Sequence, residues 1–333
     1  MDNTNTSLAP IEQISLTQEW DKTFPESDKV VHRKVVFVNR YGITLAADMY
    51  TPKDAAGRLA AIAVCGPFGA VKEQSSGLYA QHLAVQGFLT IAFDPSFTGE
   101  SAGMPRRVAS PDINTEDFCA AVDFLSVQDN VDPERIGILG ICGWGGLAIS
   151  AAANDPRIKA TVASTMYDMC RVTSNGYFDT ADTAEARNAM KRDLAATRTE
   201  EYRTGHYTRS GGVADPLPDD APEFVKRYHD YYKTRRGFHP RSGNSTDGWN
   251  TTSPLPFVNF PLLERAGEIE NAVMVMHGER AHSFYFGKDA FAKLRGDNKE
   301  FIVVPDADHT DLYDNLEKIP FDKIVAFYNR HLG

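Results

Sequence analysis

The sequence is poor in cysteine, has no long uninterrupted apolar run and carries no excess of positive charge. Its four cysteines, Cys65, Cys119, Cys142 and Cys170, lie far apart with no Cys-x-x-Cys pair. That spacing argues against a zinc ribbon, a thioredoxin-type redox pair and a disulfide scaffold. Asp and Glu number 45 against 35 Lys and Arg, a formal net charge of −10, which disfavours general nucleic-acid binding. The first residues, MDNTNTSLAPIEQ, lack the basic start and apolar stretch of a signal peptide, so a cytoplasmic protein is expected. The one uncharged stretch of near-membrane length, Ile136 to Asn154, contains five glycines. It reads as a buried strand, a tight turn and a buried helix rather than a membrane span.

What is present is an ordinary globular composition, 42% hydrophobic and 24% charged over 333 residues. A chain of that length can bury a large core without disulfides or metals. Residues 1–30 read as a polar lead-in. Lys34–Asn39 and Thr44–Tyr50 flank Arg-Tyr-Gly and predict an opening β-hairpin. Apolar runs follow at Ala60–Cys65, Phe88–Phe93, Arg135–Leu139 and Ile158–Val162, separated by helical patterns. Thr115-Glu116-Asp117 reads as a helix start, with Phe118, Ala121, Val122 and Leu125 on one face. Short runs buried on both faces, alternating with amphipathic helices, indicate an α/β protein with a mostly parallel sheet.

The alternation stops near Thr165 and resumes at Ala272 with AVMVMHG, a helix, Phe301–Val304 and a last helix to His331. The organisation expected is a core formed by 31–165 and 266–333, with 166–265 inserted as a helical cap. That insert holds 14 basic and 14 acidic residues, so the acidic excess sits outside it, and 13 of the 35 aromatics. Open α/β folds bind ligands at the edge such a cap would cover. The loop from Gly237 to Pro261 looks least regular.

The segment Arg135-Ile-Gly-Ile-Leu-Gly140-Ile141-Cys142-Gly143-Trp144-Gly145-Gly146 carries the chemistry. A strand ends, a cysteine stands among glycines, and an Ala-rich helix begins at once. A nucleophile in so tight a turn needs small neighbours. At a helix N-terminus the dipole favours a thiolate. His309 follows the last strand, in the order nucleophile then histidine, and could take the thiol proton and later activate water. The plainer readings are a structural cysteine and a loop histidine.

Taken in order, Lys72-Glu73-Gln74, Phe93-Asp94-Pro95-Ser96 with Gly99-Glu100-Ser101, Val131-Asp132-Pro133-Glu134-Arg135, Gly140-Ile141-Cys142 and His309-Thr310-Asp311-Leu312-Tyr313-Asp314 resemble the dienelactone-hydrolase-like branch of the α/β hydrolase superfamily, close to X-Pro-dipeptidyl-peptidase-like and polyketide-transferase relatives. The resemblance runs from about Val35 to Leu332. It implies an α/β hydrolase fold: a mostly parallel eight-stranded sheet flanked by helices, with a cap. It also implies Cys142 as nucleophile, His309 as base, a carboxylate partner and an oxyanion hole, for which the N–H groups of Phe68 and Gly143 are the donors expected. The substrate class implied is an ester, lactone or thioester, hydrolysed through a covalent thioester, with acyl transfer as the variant and no cofactor.

Two positions depart from the pattern. Trp144 stands where a small residue is usual, and is placed with Tyr167 in the pocket wall. The expected acid after the penultimate strand is Ala281, in Gly278-Glu279-Arg280-Ala281, so Glu279 and Asp168 are the acid candidates, with a site lacking either also open. Glu73 could help deprotonate the thiol, or could be a helix-start carboxylate paired with Lys72.

Other readings compete. Gly143-x-Gly145-x-x-Ala148 with Asp168 downstream formally matches a dinucleotide-binding turn, which would make the chain an oxidoreductase but leave Cys142 and His309 unexplained. A degenerate, ligand-binding hydrolase would suit Trp144 and Ala281. Asp306, Asp308, His309 and Asp311 lack metal-ligand spacing, so no metal is expected. The basic run Lys226, Arg227, Lys233, Arg235, Arg236 and Arg241 interleaves with Phe224, Tyr228 and Tyr231 at helical spacing, which core packing explains. The partner expected is a small acyl substrate, not nucleic acid or a membrane. Homo-oligomerisation stays open.

Overall fold

The computed structural model describes residues 9–333. Eight strands form one sheet: β1 Val30–Val38, β2 Thr44–Pro52, β3 Leu59–Cys65, β4 Leu89–Phe93, β5 Val131–Ile141, β6 Ile158–Ser164, β7 Ala272–Gly278 and β8 Lys299–Val304. Their spatial order is β1-β2-β4-β3-β5-β6-β7-β8. The β1–β2 and β2–β4 pairs are antiparallel and every other pair is parallel. The opening hairpin turns at Gly42 (φ +79°), where the Asn39 side chain accepts the N–H groups of Tyr41 and Ile43. All residues of β4 and β7 are buried, because helices cover both faces; this is why they read as unbroken apolar runs.

The main flanking helices are α1 Ser75–Val85, α2 Pro111–Ser126 and α3 Gly143–Asn154. The helix expected to start at Thr115 starts four residues earlier. Pro111 pre-sets its first turn, and Asn114 Oδ1 accepts the N–H of the preceding Ser110. Between β6 and β7 run α4 Met169–Asn175, the largely exposed α5 Ala184–Thr204 and α6 Glu223–Lys233. A two-residue ladder, Arg209–Ser210 against Trp249–Asn250, ties the irregular stretch to this insert. The chain ends with α7 Phe284–Lys293 and α8 Phe321–Leu332, where Phe321 packs on Tyr79 and His82 of α1.

The polar lead-in has a structural job. In its described part, Lys22 pairs with Asp48 of β2 at 2.9 Å and the Glu12 N–H donates to Thr44 Oγ1 at 2.7 Å. No described helix is long and apolar enough to cross a membrane.

Candidate active site

Strand β5 ends at Ile141 and α3 begins at Gly143, so Cys142 is the whole turn. Its backbone lies at φ +59°, ψ −127°, strained for a residue with a Cβ. Three backbone bonds of 2.9 Å hold it there: Cys142 N–H to Ser164 O, and the Gly145 and Tyr167 N–H groups to Cys142 O. The glycines permit the close approach. A Cβ on Gly145 would sit 2.5 Å from that of Met166, and one on Gly66 would sit 2.9 Å from that of Trp144. The space Gly66 leaves accommodates the Cβ of Trp144, whose indole packs in the core against Phe93 and Phe118. Trp144 is therefore a core residue and not part of the pocket wall.

The Phe68 and Gly143 N–H groups and the Tyr313 hydroxyl are the polar groups that act on the Cys142 thiol. Burial pushes the thiol pKa up, and these three groups pull against it. The cysteine opens onto a cavity of about 320 Å³. Phe68, Tyr167, Tyr177, Tyr228, Trp249 and Phe257 furnish most of its aromatic wall, with Asn244 and Asn250 among its polar groups. Among the described residues no charged side chain lines it.

His309 is buried beside this cavity. Its Nε2 lies 3.0 Å from the Tyr313 hydroxyl, and its Nδ1 lies 2.6 Å from Ser283 Oγ and 2.9 Å from Thr165 Oγ1. Thr165 Oγ1 also donates to His309 O, which leaves it free to accept from Nδ1. In the tautomer with the proton on Nδ1, Nε2 is the acceptor for Tyr313. A run of groups results: Cys142 thiol, Tyr313 hydroxyl, His309 imidazole, then two neutral hydroxyls. Burial, with His282 and His277 nearby, holds the His309 pKa well below its ordinary value. A smaller cavity of about 170 Å³, with the charged residues Glu223, Arg227, Arg280 and Asp308 in its lining, also reaches His309.

The three carboxylates considered for the site stand elsewhere. Glu279 is exposed and accepts the Asp306 N–H at 3.1 Å. Asp168 caps α4, accepting the N–H groups of Cys170 and Arg171 at 3.0 and 2.9 Å. Glu73 is buried in an ion cluster: Lys72 Nζ lies 2.7 Å from each of Glu73, Asp94 and Glu100, and Arg241 lies 2.7 Å from Glu73. Among the described residues, these three carboxylates form the one grouping spaced to hold a metal ion, and Lys72 already serves as their cation. Asp308, beside the histidine, pairs with Arg227 at 3.0 Å.

Sequence reasoning missed Tyr313, Ser283 and Thr165. Tyr313 was within reach, four residues beyond His309 on the turn Asp311–Asp314. Ser283 follows two residues after the alanine at the expected acid position.

A family model described as PET hydrolase-like matches residues 26–180. The uncharacterized protein PA2218 of Pseudomonas aeruginosa is 55% identical over 96% of this chain and 86% of its own. Its crystal structure superposes with a TM-score of 0.93 over 96% and 99% of the two chains. The thiohydrolase aneE of Aspergillus aculeatus is 28% identical over 70% of this chain and 65% of its own. The α/β hydrolase GrgF of Penicillium sp. sh18 is 18% identical, with a TM-score of 0.75 over 91% and 99% of the chains. The shared sheet shows an α/β hydrolase fold, and the likeness over nearly the full length places this chain in one family with PA2218.

Proposed function

We propose that this chain hydrolyses an uncharged carboxylic ester, lactone or thioester through Cys142, in the manner of the dienelactone-hydrolase-like branch. The observation that carries the reading is the constellation at Sγ: two backbone N–H groups on one side, the Tyr313–His309 pair on the other. In the reaction Sγ attacks the acyl carbon while its proton passes to the Tyr313 oxygen and the Tyr313 proton passes to His309 Nε2. The N–H groups of Phe68 and Gly143 face the oxygen on which negative charge develops, and each such donor contributes about 10²–10³ in rate. The leaving group departs with its bonding pair. His309 gives its proton to the departed group, then takes one from water, whose oxygen attacks the thioester, and returns it through Tyr313 to Cys142 Sγ as the bond from carbon to sulfur breaks.

The wall of the cavity supports an uncharged acyl group, since a carboxylate there would lose its hydration without gaining a partner. The thiohydrolase relative is consistent with thioester chemistry. The test is 4-nitrophenolate release from benzoate and acetate esters, with intact-protein mass spectrometry of the quenched reaction. The wild type should release nitrophenolate and carry one acyl group; Cys142→Ala should do neither. Equal release by both proteins would refute Cys142 as the nucleophile.

A further inference from the structure

The Phe68 N–H sits on a loop, residues 66–74, that belongs to no strand or helix. A backbone donor on a loop serves catalysis only if the loop is held, because a misplacement of about 1 Å can cost about 10²-fold in rate. The far half of the loop is fixed to the core, where the Lys72 N–H donates to Asp94 Oδ1 at 2.8 Å. Around Phe68 the loop closes on itself through one bond, Ala70 N–H to Pro67 O at 3.0 Å. The other holds there come from the irregular stretch between β6 and β7. Ser242 Oγ donates to Gly69 O at 2.9 Å. The Phe68 ring stacks on Trp249 at 4.6 Å and meets Phe257 edge-on at 5.9 Å. Gly69 lies at φ +89°, and a Cβ there would sit 2.6 Å from Ser245 Oγ, so the two segments are in close contact. The stretch is itself anchored on both sides of Ser242. Arg241 bonds Glu73 at 2.7 Å and Asp21 at 2.6 Å, and Asn244 Nδ2 donates to Thr98 Oγ1 at 3.0 Å.

Resting on the Cys142 reading above, we infer that Ser242 is a positioning residue for the oxyanion hole, setting the Phe68 N–H through Gly69 O. Ser242 is fully buried and does not line the cavity, so it touches no acyl donor. Glycine has the freest backbone of any residue, and Gly69 is where the loop would pivot and carry the Phe68 N–H with it. The Ser242 hydroxyl stops that pivot at Gly69 O, and the Trp249 ring stops it at the Phe68 side chain. When Sγ attacks, the Sγ–C bond forms and the carbonyl electron pair moves onto oxygen. Attack of water on the thioester moves a pair onto the same oxygen. A displaced Phe68 N–H therefore weakens both steps, while the ground-state donor, whose own contacts are intact, binds as before. The stretch between β6 and β7 thus completes the catalytic site as well as walling it.

The experiment compares the wild type with Ser242→Ala, using the N-acetylcysteamine thioester of benzoate as substrate and two ketones as inhibitors. Acetophenone reports ground-state binding. Trifluoroacetophenone adds the thiol to give a hemithioketal whose oxygen carries the charge, so it reports the oxyanion hole. In Ser242→Ala kcat should fall about tenfold, short of the roughly 10²–10³ that outright loss of a donor costs. KM and the acetophenone affinity should hold, and the trifluoroacetophenone affinity should fall by the same factor as kcat. A folded Ser242→Ala protein with wild-type kcat and ketone affinities, with Cys142→Ala inactive, overturns the positioning role and leaves the nucleophile standing. An equal loss for both ketones marks a disordered pocket rather than a displaced donor and also overturns it. Thioester turnover retained in Cys142→Ala overturns both readings. If Ser242→Ala does not fold, Trp249→Phe decides through the ratio of the two ketone affinities, which cancels the altered wall: a narrowed ratio supports the proposal and an unchanged one overturns it.

Discussion

The Tyr313 hydroxyl lies 3.0 Å from His309 Nε2, lines the same cavity as Cys142 and lowers its thiol pKa, so a phenol links the imidazole to the thiol's surroundings. Tyr313→Phe removes the only oxygen in that path. We expect kcat for a nitrophenyl ester to fall about 10²-fold, as for loss of a general acid–base group, with KM little changed. Burial of the unpartnered Nε2 should also cost about 1–3 kcal/mol of stability, read by chemical denaturation. Wild-type kcat in Tyr313→Phe would mean that His309 reaches the thiol without it.

Asp168 and Glu279 should separate from catalysis cleanly. Asp168→Ala removes the cap of α4 and should lower stability by about 0.5–2 kcal/mol while the folded enzyme keeps its kcat. Glu279→Gln, at the surface, should change neither. A large fall in kcat for either variant, without unfolding, would identify it as an acid acting on His309.

The ion cluster under Glu73 should behave as a structural unit. Lys72→Met strands three carboxylates in the interior and should cost about 3–5 kcal/mol, measured by urea denaturation. The same cluster sets an acid limit. Lys72 and Lys34 hold the Glu100 carboxyl down to about 2 from its ordinary 4.5, and Lys72 and Arg241 hold Glu73 lower still. A depressed carboxyl stabilises the fold above its unfolded pKa and ceases to do so as pH falls through the folded one. Stability should therefore drop between about pH 4.5 and 2, and a flat profile there would count against the cluster.

The pH dependence of turnover should be displaced downward. Desolvation keeps His309 neutral below its ordinary pKa of 6.5, so the base remains available on the acid side of that value. We expect kcat/KM for the benzoyl thioester to stay level from pH 8 through 6.5 and decline only lower. A limb with an apparent pKa of 6.5 or higher would show an imidazole more hydrated than its burial implies.

Much of the fold was legible because its strands are covered on both faces. Phe88–Phe93 and Ile158–Val162 announce themselves as apolar runs, and differ from Leu89–Phe93 and Ile158–Ser164 only at their ends. Helix α1 gave no separate signal, since its buried residues run almost all round it and leave no polar face to alternate with. At the site, the turn around Cys142 and the place of His309 are local patterns and could be read. The partners of Nδ1 could not, because Thr165 and Ser283 come from two loops that meet only through the sheet order, and an isolated hydroxyl carries no signature. Trp144 misled for a similar reason: its indole packs on Phe93 and Phe118, which are distant in sequence.

The uncharged wall around Cys142 bears finally on how fast a donor arrives. The chain as a whole carries −10, but among the described residues the chamber presents no fixed charge of its own to a molecule entering it. A neutral donor is then neither drawn in nor turned away, and its encounter rate owes nothing to long-range steering. Ionic strength, which screens such forces over about 10 Å at 0.1 M, should leave the capture of neutral donors untouched, whereas an anionic carrier on the same acyl group would arrive faster as salt is added.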